Sequence, residues 1–257
     1  MSKFVVVILP DENKADEGVR VLKDLHSDGA LTLYSYAIVH RSPEGWLLTD
    51  EQQSRPPLGA GIGALVGGLT GMFAGPAGAA IGVAAGGILG AFRELFNLGV
   101  SEEFLDGVTS GLSPGKSAIM AEISEEEWVP QLDARMEAIG GIVVREYRDD
   151  FIDEQLKKRI EHNKADLAQA KAHLAAARAE NVEKLTEAVA RAEQKLHKAL
   201  DSAKARAERY REETEAKIGA LKDQAKRTRG DAQARITKRI DQLVAARNAR
   251  AGEWYVD

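Results

Sequence analysis

The sequence predicts an α+β protein in three unlike parts, and three observations carry that expectation. The first is an ordered alternation of β-rich and amphipathic runs over residues 1–148. The second is the stretch Leu58–Phe92, which carries no charge and places glycine at 59, 63, 67, 71 and 75, then at 78, 82, 86 and 90, around a central Gly75-Pro76. The third is a proline-free tract from Asp149 to about Arg250, dominated by Ala, Glu, Lys, Arg and Leu, which is the composition of long helices. The charge divides the same way. Up to Arg148 there are 11 Lys and Arg against 20 Asp and Glu, a balance of −9, and from Asp149 onward 24 against 20, or +4, which sum to the net −5. Once the apolar run and the charged tract are set aside, the 257 residues leave room for one ordinary globular domain.

That domain can be read element by element. Lys3–Leu9 is a continuous apolar, β-branched run ended by Pro10, as expected of a strand covered on both faces. A helix follows from about Asp11, whose carboxylate can cap it, with Ala15, Val19, Leu22 and Leu25 on one face and Gly29 past its end. Leu31–Val39 alternates as a strand, and Gly45-Trp46-Leu47-Leu48 forms a short partner across the Ser42-Pro43-Glu44 turn. After the apolar run, Ser101-Glu-Glu-Phe opens a short helix to about Leu112, and Lys116–Ile123 is a third principal strand. Ser124-Glu-Glu-Glu127 has capping-box spacing for a helix to Ile139 with Trp128, Leu132 and Met136 inward, in which Glu125, Glu126 and Glu127 are an acidic helix start. Gly140-Gly141 ends it, and Ile142–Tyr147 is the fourth strand. Strand, helix, strand, insertion, strand, helix, strand is the order of a ferredoxin-like split βαβ domain, formed by residues 1–57 and 93–148 with 58–92 inserted between its halves.

The inserted segment is expected to be a glycine-zipper helical hairpin that projects from the domain. Glycine at every fourth position leaves a flat stripe on which another backbone can pack closely, as helices do in lipid. Each arm is about 17 residues, roughly 25 Å as a helix, at the short end of what crosses a bilayer core. Lipid association, a soluble oligomeric core and a flexible linker are therefore all open, although a linker favours Ser, Asp, Lys or Glu over Leu, Ile and Val. Arg55 and Arg93 flank the two arms while the Gly75-Pro76 turn is uncharged, which places both soluble parts on the cytoplasmic side. The opening residues MSKFVVVILP are too short an apolar run, too soon ended by Pro10-Asp11, for a secretory signal.

In residues 149–250 the apolar or small positions Leu185, Val189, Ala192, Leu196, Leu200, Ala203, Ala207, Tyr210, Thr214, Ile218, Leu221 and Ala225 recur about every 3.6 residues, a seam with little supercoil. A self-associating coiled coil, an amphipathic helix on lipid and a solvated stalk are its three readings; the narrow Ala-rich seam favours helix pairing over insertion. Gly230, within Arg227-Thr-Arg-Gly-Asp231, can fold the tract into a hairpin. Lys204–Arg250 holds 14 basic and 7 acidic residues, but the acids are interspersed and Tyr210 is its one aromatic, so nucleic-acid binding is not expected. Residues 251–257 close on Trp254 and Tyr255, aromatics suited to docking a tail.

Catalytic patterns are scarce. Gly111-Leu-Ser-Pro-Gly115-Lys116-Ser117 has three residues between its glycines where a phosphate loop needs four, and precedes a strand instead of a helix. Gly59-Ala-Gly61-Ile-Gly63 belongs to the zipper period. The histidines at 26, 40, 162, 173 and 197 lack metal-ligand spacing and read as surface residues. Cysteine is absent, which excludes thiol chemistry. No enzyme, cofactor, metal or small-molecule substrate is expected.

The first 147 residues resemble a family of uncharacterised bacterial predicted membrane proteins, on the zipper LGAGIGALVGG…GPAGAAIGVAAGGILGA, the flank Leu98–Leu105 and the strand after Leu112-Ser-Pro-Gly-Lys-Ser-Ala118. The resemblance implies a membrane location and a stress-associated role, and supplies no reaction or catalytic residue. The hundred-residue helical extension departs from the family's short pattern. The expectation is a non-enzymatic, membrane-associated homo-oligomeric scaffold, its partners a lipid membrane and its own copies. A pore lined by zipper helices, or a soluble ring with the hairpins as its core, is the alternative.

Overall fold

A computed structural model describes residues 2–53, 57–73, 100–125, 130–147, 150–176 and 181–254. Five strands, β1 (Ser2–Leu9), β2 (Thr32–Arg41), β3 (Leu47–Gln53), β4 (Ser117–Ser124) and β5 (Ile142–Tyr147), form one sheet in the order β3-β2-β4-β1-β5. Every neighbouring pair is antiparallel. β1 is an interior strand between β4 and β5, and alternation along it sends Val5, Val7 and Leu9 to one face and Phe4, Val6 and Ile8 to the other, all buried. That is why its sequence is apolar without interruption.

One face of the sheet is covered by α1 (Glu12–Ser27) and α4 (Pro130–Ala138). Asp11 caps α1 by accepting from the Lys14 amide at 2.9 Å, and Ala15, Val19, Leu22 and Leu25 form its buried stripe. Leu132 and Met136 of α4 join the same core. Gly29 turns the chain with φ +69, a left-handed conformation that glycine adopts without strain.

The other face is covered by α2 (Ala60–Phe73) and α3 (Glu102–Gly111). Ser101 caps α3 by accepting from the Phe104 amide, and Phe104, Leu105 and Val108 pack on the sheet. The first zipper arm differs from the expected projection. As α2 it lies along the sheet, with Ile62, Leu65 and Leu69 fully buried against β2, β3 and β4. Bulky Leu and Ile at i, i+3 and i+7 make a core-facing stripe of their own, and burying it stabilises more than leaving it to water. The far end of α2 is held by Arg41, whose guanidinium lies 4.4 Å from the Phe73 ring centroid while donating to Leu112 O at 2.7 Å.

The C-terminal region is three helices: α5 (Asp150–Ala175), α6 (Val182–Arg227) and α7 (Gly230–Trp254). The reversal before α7 falls at Gly230, with φ +61, as its sequence allows. The reversal between α5 and α6 has no glycine or proline to announce it. Gly219 does not interrupt α6. α5 and α7 each run antiparallel to α6: Lys171 pairs with Glu193 at 3.0 Å, and Arg250 lies 4.6 Å from the Tyr210 ring centroid. At 46 residues, α6 is a spine of about 69 Å. Its first half pairs with α5, and its second half, with α7, is docked on the α/β domain.

Candidate functional site: the junction of sheet and long helices

The buried charge of the described chain is concentrated where β1 and β2 begin and β4 ends. Lys217 of α6 is 4% exposed and reaches Glu122 of β4 at 2.6 Å, Glu213 at 2.7 Å and the Ser2 hydroxyl at 2.8 Å, with its ammonium 5.5 Å from the centre of the Tyr34 ring. Glu122 is itself fully buried. A charge so withdrawn from water is stable only when paired and hydrogen-bonded, and here one ammonium meets two carboxylates and a hydroxyl. Burial pushes the Tyr34 hydroxyl up to about 12, an effect that the Lys217 charge partly opposes.

Two turns further along α6, Gln224 donates to His26 O at 2.6 Å and Leu31 O at 2.8 Å, and accepts from the Thr32 hydroxyl at 2.6 Å. From α7, Arg239 donates to Gly29 O at 2.9 Å and Ala30 O at 3.1 Å. Of these acceptors the His26 carbonyl belongs to α1, where it also accepts from the Gly29 amide, and the other three follow the helix end, where a cation suits the negative end of its dipole. Leu221 and Ile236 are fully buried beside these anchors, against Tyr34, with Leu58 at their margin. Leu58 begins the apolar segment, so the long helices touch its base as well as the sheet. His26 accepts from the Leu33 amide at 3.2 Å through Nδ1. Burial first, then the charges of Arg239 and Arg227, hold it below its usual 6.5.

Next to this junction, Lys3 and Glu125 form a buried pair at 2.9 Å, and Arg145 lies 3.4 Å from Glu125 and 2.6 Å from Asp133. Glu125 is thus a buried partner of β1 and β5 and not part of an acidic helix start. The described helix begins at Pro130, while Glu126, Glu127 and Trp128 fall outside the described residues.

The zipper positions separate into two groups. Gly59 has φ +93 and turns the chain into α2, so its glycine is required by backbone conformation. Gly63 and Gly71 are half-buried and Gly67 is exposed, on the side of α2 opposite Ile62, Leu65 and Leu69; a Cβ on Gly67 would meet nothing within 4 Å. Gly75, Gly78, Gly82, Gly86 and Gly90 lie outside the described residues. So do Tyr255 and the side chain of Trp254. Along the seam, Ala203, Ile218 and Leu221 are buried, whereas Leu185, Val189, Leu196, Leu200 and Ala207 are half-buried.

Two arrangements resemble catalytic ones and lack their geometry. His40 Nδ1 lies 3.3 Å from the Ser117 hydroxyl and 3.5 Å from Glu12, but a relay needs nucleophile and orienting acid on opposite nitrogens of the histidine ring. Lys116 donates to Gly111 O at 3.2 Å within its own turn. His26 and His40 are half-buried participants in these contacts, unlike the surface residues expected; His162, His173 and His197 are exposed. Among the described residues no group of three or more His, Cys, Asp or Glu is placed to hold a metal, and no helix is long and apolar enough to cross a membrane.

Sequence reasoning reached Thr214, Ile218, Leu221 and Ala225 through their spacing and missed Lys217, Gln224 and Arg239. A signal existed for Lys217 and Gln224, because they lie seven apart and each neighbours a seam position, on a face that a second contact would bury. Residues 60–163 match a family described as a protein of unknown function (DUF1269). No curated protein and no solved structure matches the chain.

Proposed function

We propose that this chain is a non-enzymatic, membrane-associated, homo-oligomeric scaffold whose soluble parts face the cytoplasm. On this reading the α/β domain is ferredoxin-like, with the zipper segment inserted between its halves. The sheet order β5-β1-β4-β2, with α1 and α4 on one face, supports the ferredoxin-like assignment, β3 being an added edge strand. The observation that carries the functional reading is the orientation of α2. Its leucines and isoleucine are spent on the sheet, and its glycine stripe at 63, 67 and 71 is turned the other way. Such a stripe is chemically suited to close backbone packing with another helix.

A soluble ring built on the same stripe is the second reading, favoured by the burial of Ile62, Leu65 and Leu69 on the sheet, which takes the bulky side of α2 away from lipid. Flotation of the full-length protein with anionic phospholipid vesicles separates the two. Co-flotation is expected, and a Gly67→Leu variant should lose it or its oligomeric state while keeping its fold, since a side chain there meets nothing within the chain. Recovery of the wild type as a monomer away from the vesicles would end both readings.

A further inference from the structure

We infer that the paired region of α5 and the first half of α6 is the surface that receives a second copy of this chain, side by side and in parallel. This rests on the homo-oligomeric part of the proposed function and locates its interface.

The first observation is incomplete burial. Between residues 156 and 175 of α5 no residue is buried: Leu156, Ile160, Leu167 and Leu174 stop at half-burial. Opposite them on α6, Leu185, Val189 and Leu196 are also half-buried. Two helices touch along one line, so the flanks of that line stay wet unless a further helix covers them. In the second half of α6, where the sheet supplies the third surface, Leu221 and even Lys217 are withdrawn from solvent.

The second observation identifies the occupant through charge. A groove runs between the two helices, with Asp166 on its α5 lip and Arg191 and Lys195 on its α6 lip. The register of the pair is set by Asn163, which reaches the Lys195 backbone carbonyl at 3.4 Å. Asp166 and Arg191 therefore stand at the same height along the hairpin. A two-fold axis running along the hairpin lays α5 of one copy over α6 of the other without changing height. Asp166 then meets Arg191 and Lys195 of the second copy, twice, with the leucine seams closed between them. The contact is self-complementary, as a two-fold interface must be. It also leaves both α/β domains at the same end, which suits anchorage on one membrane.

Charge exchange in the full-length protein tests this by sedimentation equilibrium, with circular dichroism to follow helix content. The wild type is expected to be dimeric or a higher even oligomer. Arg191→Glu with Lys195→Glu sets three acids together at each contact, and Asp166→Lys sets three bases together. Each variant alone should dissociate at least about tenfold more readily, since like charges are then opposed at both contacts. Mixed one to one, the two variants restore opposite charges at both contacts and should recover association with unchanged helix content. A monomeric wild type would overturn both this inference and the homo-oligomeric reading. A wild-type oligomer that neither variant weakens, or that mixing the variants fails to restore, would overturn this interface alone.

Discussion

Residues 182–207 and 210–227 belong to one uninterrupted helix with much the same charged and alanine-rich composition, yet they are held in different ways. The first half meets α5, and although Ala199 and Ala203 are buried there its seam leucines remain half-buried. The second half meets α7 and the end of the sheet, and it buries a lysine, a glutamine and a leucine within eight residues. The difference does not come from extra apolar residues. It comes from what the sheet end offers: the Glu122 carboxylate, the Ser2 and Thr32 hydroxyls, and backbone carbonyls at 26, 29, 30 and 31. Polar residues of a solvated helix become anchors where a second structure supplies their partners. An ion pair of this kind adds little net stability over an apolar isostere, but it fixes register, because slippage leaves a buried charge alone.

The largest break in the comparison comes from removing one member of that pair. Lys217→Met leaves Glu122 and Glu213 without the ammonium in a site closed to water, and should cost about 3–5 kcal/mol in urea denaturation of the full chain. Adding Glu122→Leu should recover much of the loss. A cost below about 1 kcal/mol for the single change would mean that the junction is solvated and that docking rests on Leu221 and Ile236 alone.

A matched pair of truncations compares the halves directly. Leu221→Ala removes a side chain with no exposed surface and should cost about 2–5 kcal/mol. Leu196→Ala removes one that is already half in water, so about 1 kcal/mol is expected of an isolated hairpin. In the paired assembly proposed above, the Leu196→Ala cost should grow with protein concentration, whereas the Leu221→Ala cost should not.

How much of this was legible depends on whether a residue's role is local. The Asp11 cap, the Gly29 stop, the unbroken apolar run of β1 and the Ser101 cap are decided within a few residues, and the structure has them where the sequence puts them. The turn at Gly230 is likewise local. Lys217, Gln224 and Arg239 are not, because each is one polar residue among many until the sheet end is brought against it. The placement of α2 was misread for a related reason. Its glycine period is conspicuous, but Ile62, Leu65 and Leu69 on the opposite side hold it to the sheet. The reversal between α5 and α6 left no trace, since no glycine or proline separates the two helices.

The smallest expected effect is a pH dependence confined to the docked half. In the folded chain His26 uses Nδ1 as an acceptor for the Leu33 amide, while its own carbonyl receives Gln224. Protonation would place a second N–H against the Leu33 amide, in a partly closed site already facing Arg239 and Arg227. The folded form therefore resists the proton, and its pKa lies below the usual 6.5. Above about 6.5 both folded and unfolded chains carry neutral His26 and stability does not change on its account. As pH falls through 6.5, the unfolded chain takes up a proton that the folded chain refuses, so stability declines until the folded pKa is reached. A His26→Gln variant lacks this titration and should show a flatter stability profile between pH 7 and 5 than the wild type, while the helix content of α5 and the first half of α6 is unaffected. If the two profiles run parallel, His26 is solvated in the folded chain and the junction is open at α1. If helix content in the α5–α6 half falls as well, the two halves of α6 are coupled, and the contrast between them is one of degree.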